Sequence, residues 1–239
     1  MAVMVGTPAL GSPTWAFTES LLALKAPDGF RFVRRGPLAV DVARNELVHA
    51  FLALPETYTH LLMVDSDAML HFRTLERLLS WDVPVVGALA FTRYGPCVPT
   101  VYRGERADQP GMFGVLLDEV HTWIERHKEL VSSKPVVLEP RPPDSLIEVD
   151  RTGGHCLLIR RDVLQAIPEP WFVAEVMRRG REDFYFCEQA QKAGFRVYVD
   201  LGCMAAHLYG DRPLAAMDHM VWNSSSEYEY EGATTKLTR

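Results

Sequence analysis

The sequence predicts an α/β protein with a mostly parallel central sheet flanked by helices and an irregular second half. Three observations predict this. Short apolar runs alternate with stretches of helical periodicity through the first half of the chain. The spacing of those runs suits β-α-β crossovers, which cover a parallel sheet on both faces. One run, His60-Leu61-Leu62-Met63-Val64, stops at the paired carboxylates Asp65-Ser66-Asp67, and in such sheets ligands sit outside the carboxyl ends of the strands.

The elements follow in order. Ala2-Val3-Met4-Val5 is a short strand, then a turn rich in Gly and Pro, then a helix from about Thr14 to Lys25. Phe30 to Val33 is a second strand. Leu38 to Leu54 reads as a helix, with Val40, Ala43, Leu47, Phe51 and Leu54 recurring at three- and four-residue steps as one core stripe. The strand ending at Asp65 leads into a helix over Ala68 to Trp81, with Leu75, Leu78 and Leu79 inward. Pro84 to Phe91 is again a strand. Thr92 to Gly114 reads as a long loop around a strand at Cys97–Tyr102, and Val115 to Leu130 as a helix. Val136–Leu138 and Ile147–Val149 are short strands, and His155–Ile159 is a longer one. Arg181 to Ala193 is a helix with Phe186, Ala190 and Ala193 on one face and Gly194 at its C-terminal cap. Phe195 to Val199 is the final strand. Residues 1–222 form one domain, and the polar, acidic segment 223–239 is expected to be a flexible tail.

With 239 residues and 48% apolar content, the chain can bury one substantial core. A net charge of −6 and a pI near 5.8 argue against nucleic acid bound through its phosphates, so no sequence-specific nucleic acid is expected. Cys97, Cys156, Cys187 and Cys203 lack C-x-x-C spacing and sit in apolar stretches, as reduced buried thiols do. No apolar run approaches the ~18 residues of a membrane span. Met1 to Phe17 lacks the basic start of a signal peptide. The expected location is cytoplasmic, the host cytoplasm if the chain is viral.

Asp65 and Asp67, two apart on an extended backbone, point the same way about 6–7 Å apart. Both can face one divalent cation or the polar groups of a nucleotide. Like charges at a strand end raise each other's pKa and call for a counter-ion. A structural role is also open, with one Asp capping the following helix and the other solvated. Glu182-Asp183 at a helix start complements the helix dipole. Asp183, Cys187 and Ala190, at i, i+4 and i+7, also form an inward-facing line. Gly153 and Gly154 precede an apolar strand, where bare backbone allows close approach or simply a turn.

Taken together, Gly6-Thr7-Pro8, Ala43-Arg44-Asn45, Met63-Val64-Asp65-Ser66-Asp67, Gly153-Gly154-His155-Cys156, Pro170-Trp171-Phe172, Glu182-Asp183-Phe184 and the late His207 occur in an order that resembles the glycosyltransferases of the GT-A (Rossmann-like) fold. The resemblance runs from about Val3 to Gly210 and is strongest to small soluble transferases of bacteria and their viruses. It implies a metal-dependent transfer of sugar from a nucleoside-diphosphate sugar, a UDP-sugar first and a GDP-sugar second, with Mn²⁺ or Mg²⁺ neutralising the leaving diphosphate. Asp67 and His207 would ligate the metal, with Asp65 on the metal-bound water or the ribose. Thr7 and Pro8 would line the base pocket. Arg44 and Asn45, at the rim, would hold the donor together with Ser66, Gly153 and Gly154; an ion pair of Arg44 with Asp41 is the structural alternative. Asp183, paired with Glu182, would be the general base of an inverting reaction. Trp171, with Phe172, would offer the acceptor an aromatic face, or pack in the core.

The acceptor hydroxyl is unspecified: a glycan, a lipid-linked sugar, a protein side chain or a modified base. The Gly95–Gly114 loop and the helix after it would shape its site, and Arg178, Arg179 and Arg181 form a basic patch beside the base. A sugar-nucleotide nucleotidyltransferase is the rival enzyme. It would carry a basic Gly-rich loop after the first strand, yet Gly6 to Phe17 contains no Lys or Arg. A non-catalytic nucleotide-sugar or carbohydrate-binding protein on the same scaffold is the other alternative, and the presence of both acid pairs counts against it.

Overall fold

The computed structural model describes residues 2–26, 28–93, 97–105, 113–130, 132, 134–174, 182–210, 212–224, 227–230 and 233–236. Strand β1 (Ala2–Pro8) leads through helix α1 (Trp15–Leu22) to β2 (Phe30–Arg35), and helix α2 (Val40–Leu52) leads to β3 (Tyr58–Val64). The two-residue β4 (Ala68–Met69) and helix α3 (Thr74–Leu79) precede β5 (Val85–Leu89). The second half contains β6 (Val101–Glu105), β7 (Phe113–Val115), α4 (Leu117–Arg126), β8 (Val136–Val137), β9 (Leu146–Val149), β10 (Arg151–Thr152), β11 (Cys156–Arg160), α5 (Arg161–Ala166) and α6 (Glu182–Lys192). It closes with β12 (Val197–Met204), β13 (Ala206–Tyr209), β14 (Arg212–Leu214), α7 (Ala216–Ser224) and the hairpin β15 (Glu227–Tyr230) and β16 (Ala233–Lys236).

The central sheet has eight strands in the order β2-β1-β3-β11-β5-β12-β8, with β9 beside the first half of β12. Strands β2, β1, β3, β5 and β12 run the same way, and β11 lies antiparallel between β3 and β5. Strict alternation sends successive side chains to opposite faces. Met4, Leu61, Met63, Val85, Leu157 and Ile159 pack with α2, α4, α5 and α6 on one face. Val3, Val5, Leu62, Val64, Val86 and Leu158 pack with α1 and α3 on the other. Burial on both faces is why these strands read as continuous apolar runs.

Several expectations are corrected. The helix expected over 68–81 starts only at Thr74, because Ala68 and Met69 pair with β13. The one expected over 115–130 begins at Leu117, because residues 113–115 pair with β6. The strand expected over Phe195–Val199 begins only at Val197, as β12, and is followed by further strands. Val40 is 37% exposed in the first turn of α2, and Ala193 lies exposed beyond α6. Gly194 does cap α6. It has φ +88°, its N–H donates to Gln191 O (2.9 Å), and Phe195 N–H donates to Ala190 O (3.0 Å), the two hydrogen bonds of a Schellman cap. Arg178, Arg179, Arg181 and residues 95–96 and 106–112 of the expected loop lie outside the described residues. Among the described residues no helix is long and apolar enough to cross a membrane.

Two buried arginines fasten the helices. Arg161 at the start of α5 donates to the carbonyls of Phe51 (3.0 Å), Leu54 (3.1 Å) and Tyr58 (2.7 Å), satisfying the end of α2 and the turn into β3. Arg77 of α3 grips the fully buried Asp200 of β12 through Nε (2.5 Å) and Nη2 (3.2 Å), and Trp81 Nε1 donates to the same carboxylate at 2.7 Å. A buried carboxylate is tolerable only with such partners.

Candidate active site

The carboxyl ends of β1, β3 and β5 lie on one edge of the sheet. Because β11 is antiparallel, its beginning lies there too. Asp65 N–H donates to His155 O (3.0 Å), which ties the end of β3 to the start of β11. Asp65, Ser66 and Asp67 turn directly into β4, and Leu208 N–H donates to Asp67 O (2.6 Å) from β13. That pairing brings His207 back to the acids. Thr7 and Pro8 end β1 nearby, both buried, and Thr7 Oγ1 has no hydrogen-bond partner.

Two polar clusters meet at this edge. In the first, Arg44 is 2% exposed and stands between two acids. Its Nη2 donates to Asp65 Oδ1 (2.7 Å) and its Nε to Glu182 Oε1 (3.0 Å). Burial alone would lower the Arg44 pKa; Asp65, Glu182 and Asp183 outweigh it and raise it. Arg44 thus belongs to the buried stripe of α2 with Ala43 and Leu47, not to the rim, and its partners are Asp65 and Glu182, not Asp41. Glu182 is buried against it. Asp183 Oδ2 accepts from Gly154 N–H (2.9 Å) and Oδ1 from Phe184 N–H (2.9 Å). Gly154 has a definite steric reason: a Cβ there would lie 2.8 Å from Arg44 Nη2 and 3.3 Å from Asp183 Cβ. At Gly153 a Cβ would meet Thr100 Oγ1 at 3.1 Å.

In the second cluster, ligand atoms of Asp67, His155 and His207 all lie within 4.8 Å of one another. Each imidazole has one nitrogen against a backbone carbonyl: His155 Nε2 faces Ala206 O (3.3 Å) and His207 Nδ1 faces Phe91 O (3.0 Å). A proton on His155 Nε2 leaves a lone pair on its Nδ1, which is buried without a hydrogen-bond partner, 3.9 Å from Asp65 Oδ2. His207 Nε2 faces Asp67 Oδ2 at 3.3 Å. Burial, with repulsion from His207, lowers the His155 pKa to about 3, so the ring is neutral at pH 7. Burial acts to raise the Asp67 pKa, but the hydrogen bond from His207 and the charges of His155, His207 and Arg93 hold it at about 2. Two imidazoles each oriented by a carbonyl, an ionised carboxylate and the orphaned buried nitrogen of His155 suit a divalent metal of the Mn²⁺ kind.

The structure therefore brings Asp65, Asp67, His207, Arg44, Gly154, Glu182 and Asp183 to one edge. It adds His155, which stands directly after the glycine pair and to which the sequence alone assigns no role. Within the three-residue cluster His155 takes the place expected of Asp65, whose Oδ1 is engaged by Arg44. Asn45 is corrected as well: its Nδ2 donates to Phe172 O (2.7 Å) and its Oδ1 accepts from Trp171 N–H (3.0 Å) and Phe172 N–H (3.1 Å). It latches the 171–172 segment to α2. Trp171 is buried, its Nε1 donates to Leu164 O (2.8 Å), and its ring meets His49 at 5.1 Å. This is the core-packing alternative.

No family model matches the chain, and no curated protein matches it. Solved structures do. A197 from STIV superposes with a TM-score of 0.59 at 20% identity, covering 90% of this chain and 91% of that one. GalNAc-T7 with UDP, GalNAc and Mn²⁺ superposes with a TM-score of 0.53 at 10% identity, covering 92% of this chain and 47% of that one. The chain thus spans about half the length of GalNAc-T7. At such identities the likeness is one of fold, and the fold is GT-A-like.

Proposed function

We propose that the chain is a glycosyltransferase that moves a sugar from a nucleoside-diphosphate sugar, a UDP-sugar by preference, to an acceptor hydroxyl with inversion. The observation that carries this reading is the Asp67/His155/His207 cluster at the carboxyl edge of a GT-A-like sheet. The GalNAc-T7 structure, which contains UDP and Mn²⁺, supports the nucleotide and metal in the same terms. Asp67, His155 and His207 would hold Mn²⁺ or Mg²⁺, which when bound supplies positive charge to the leaving diphosphate.

The chain's own residues account for the rest. Arg44, anchored by Glu182, fixes the Asp65 carboxylate, so that Asp65 presents its second oxygen to the donor side. Thr7 Oγ1, a buried hydroxyl at the end of β1, offers a donor and acceptor to the nucleoside. Asp183 is the base: the acceptor oxygen attacks the anomeric carbon, the bond from that carbon to the diphosphate oxygen breaks, and the hydroxyl proton passes to the carboxylate. Gly154 and Phe184 N–H groups hold that carboxylate in place.

The test is a thermal-shift screen of nucleotide sugars with and without Mn²⁺ or Mg²⁺. A ligand at 100 times its Kd stabilises the fold by ~2.7 kcal/mol. UDP-sugars are expected to raise the melting temperature only with metal. Absence of a shift with every nucleoside diphosphate in both metals would end this reading.

A further inference from the structure

The oxygen of Asp67 that faces His207 is also taken by a cation. Arg93 Nη1 donates to Asp67 Oδ2, the atom that His207 Nε2 approaches at 3.3 Å. A divalent ion held by Asp67, His155 and His207 would meet that guanidinium at close range, and two cations on one carboxylate oxygen repel each other. The side chain of Arg93 is 32% exposed, so it borders solvent and is not enclosed in the core. Its backbone need not move. Thr92 N–H donates to Val98 O (2.9 Å), Val98 N–H donates to Thr92 Oγ1 (3.1 Å), and Phe91 pairs with Pro99, which closes the chain on either side.

We propose that Arg93 is a built-in counter-cation: it neutralises Asp67 before the metal arrives, gives way to the metal, and turns its guanidinium onto the donor diphosphate. This rests on the metal-dependent reading above and assigns a residue to diphosphate recognition. The chemistry of the exchange is favourable at both ends. The metal replaces one positive charge on Asp67 with two, and the released guanidinium finds phosphate oxygens matched to its planar fork. The side chain would then oppose metal binding in the absence of nucleotide and favour nucleotide binding in the presence of metal. A residue that merely supports the fold would do neither.

Isothermal titration with Mn²⁺ alone, then with UDP at saturating Mn²⁺, tests this on the wild type, Arg93→Gln and Arg93→Lys. Arg93→Gln is expected to bind Mn²⁺ roughly tenfold tighter, as removal of one partly exposed competing charge allows. It is expected to bind UDP with Mn²⁺ roughly tenfold or more weaker. Arg93→Lys, which keeps the charge, should stay near wild type for Mn²⁺. Without metal, Arg93→Gln should melt below wild type, and added Mn²⁺ should close the gap. Equal or weaker Mn²⁺ binding by Arg93→Gln, with wild type binding normally, overturns the inference and leaves the metal-dependent reading standing. Failure of wild type and variant alike to bind Mn²⁺ overturns both.

Discussion

At Asp183 both carboxylate oxygens accept backbone N–H groups, which bears on how its role as base is measured. Asparagine keeps one acceptor oxygen, so Asp183→Asn leaves one of those N–H groups facing an amide. The variant should lose about 1–3 kcal/mol of stability, read by urea melt. Transfer should fall by ~10²–10⁴ while the Kd for nucleotide sugar stays within about threefold, since a base acts on the transition state. An unchanged rate in the folded variant would leave Asp183 only its structural bonds to Gly154 and Phe184. Much of this scale was legible: Asp65, Asp67, Asp183 and His207 are chemically conspicuous residues at element ends. His155 was not, because a histidine opening an apolar strand has no local signal for the partner it meets across the fold.

At the scale of elements, α5 has no signal in the sequence, yet its Arg161 fastens the end of α2. Arg161 satisfies carbonyls at Phe51, Leu54 and Tyr58 with a single guanidinium. Removing it takes a donor from all of these carbonyls at once. Arg161→Ala should lower the unfolding free energy by about 3–4 kcal/mol, and Arg161→Lys by less, because an ammonium restores some donors but not the planar fork. Chemical denaturation of the two variants against wild type checks the order; equal loss in both would mean that charge, not geometry, is what α2 needs. The same logic explains the shortened helix before β5. Ala68 and Met69 have no helical obligation once β13 pairs with them, so the acids at 65 and 67 occupy a turn and not a helix cap.

Across the whole molecule the four cysteines report on the core. Cys97, Cys156, Cys187 and Cys203 are buried free thiols. Burial pushes Cys97, Cys156 and Cys187 up to about 12, and Cys203 well above its ordinary value. In the unfolded chain thiols ionise near their ordinary value, so above that pH the unfolded state binds fewer protons than the folded one. The thiols' contribution to stability is therefore intact below about pH 8.5 and declines as pH rises towards 12, by about 1.4 kcal/mol per pH unit for each thiol. The urea midpoint should fall between pH 8 and pH 10, and Cys187→Ala should flatten that slope. An aromatic disulfide reagent at pH 8 should leave the native protein almost unlabelled and label the denatured chain at four sites. Fast native labelling would show that the core opens more readily than its packing implies.

The sequence by itself determined the layered α/β architecture, because alternation and helical periodicity are written in neighbouring residues and both sheet faces demanded apolar runs. It also determined that acids stand at strand and helix ends. Only the tertiary structure decided what each acid meets. Arg44 is committed to Asp65 and Glu182, Asn45 to the 171–172 segment, and Asp67 to His155, His207 and Arg93. These partners lie from 21 residues apart, as Arg44 with Asp65, to 140 residues apart, as Asp67 with His207. Nothing local in the chain encodes such pairings; they arise when an antiparallel β11 is inserted between β3 and β5 and β13 folds back onto β4.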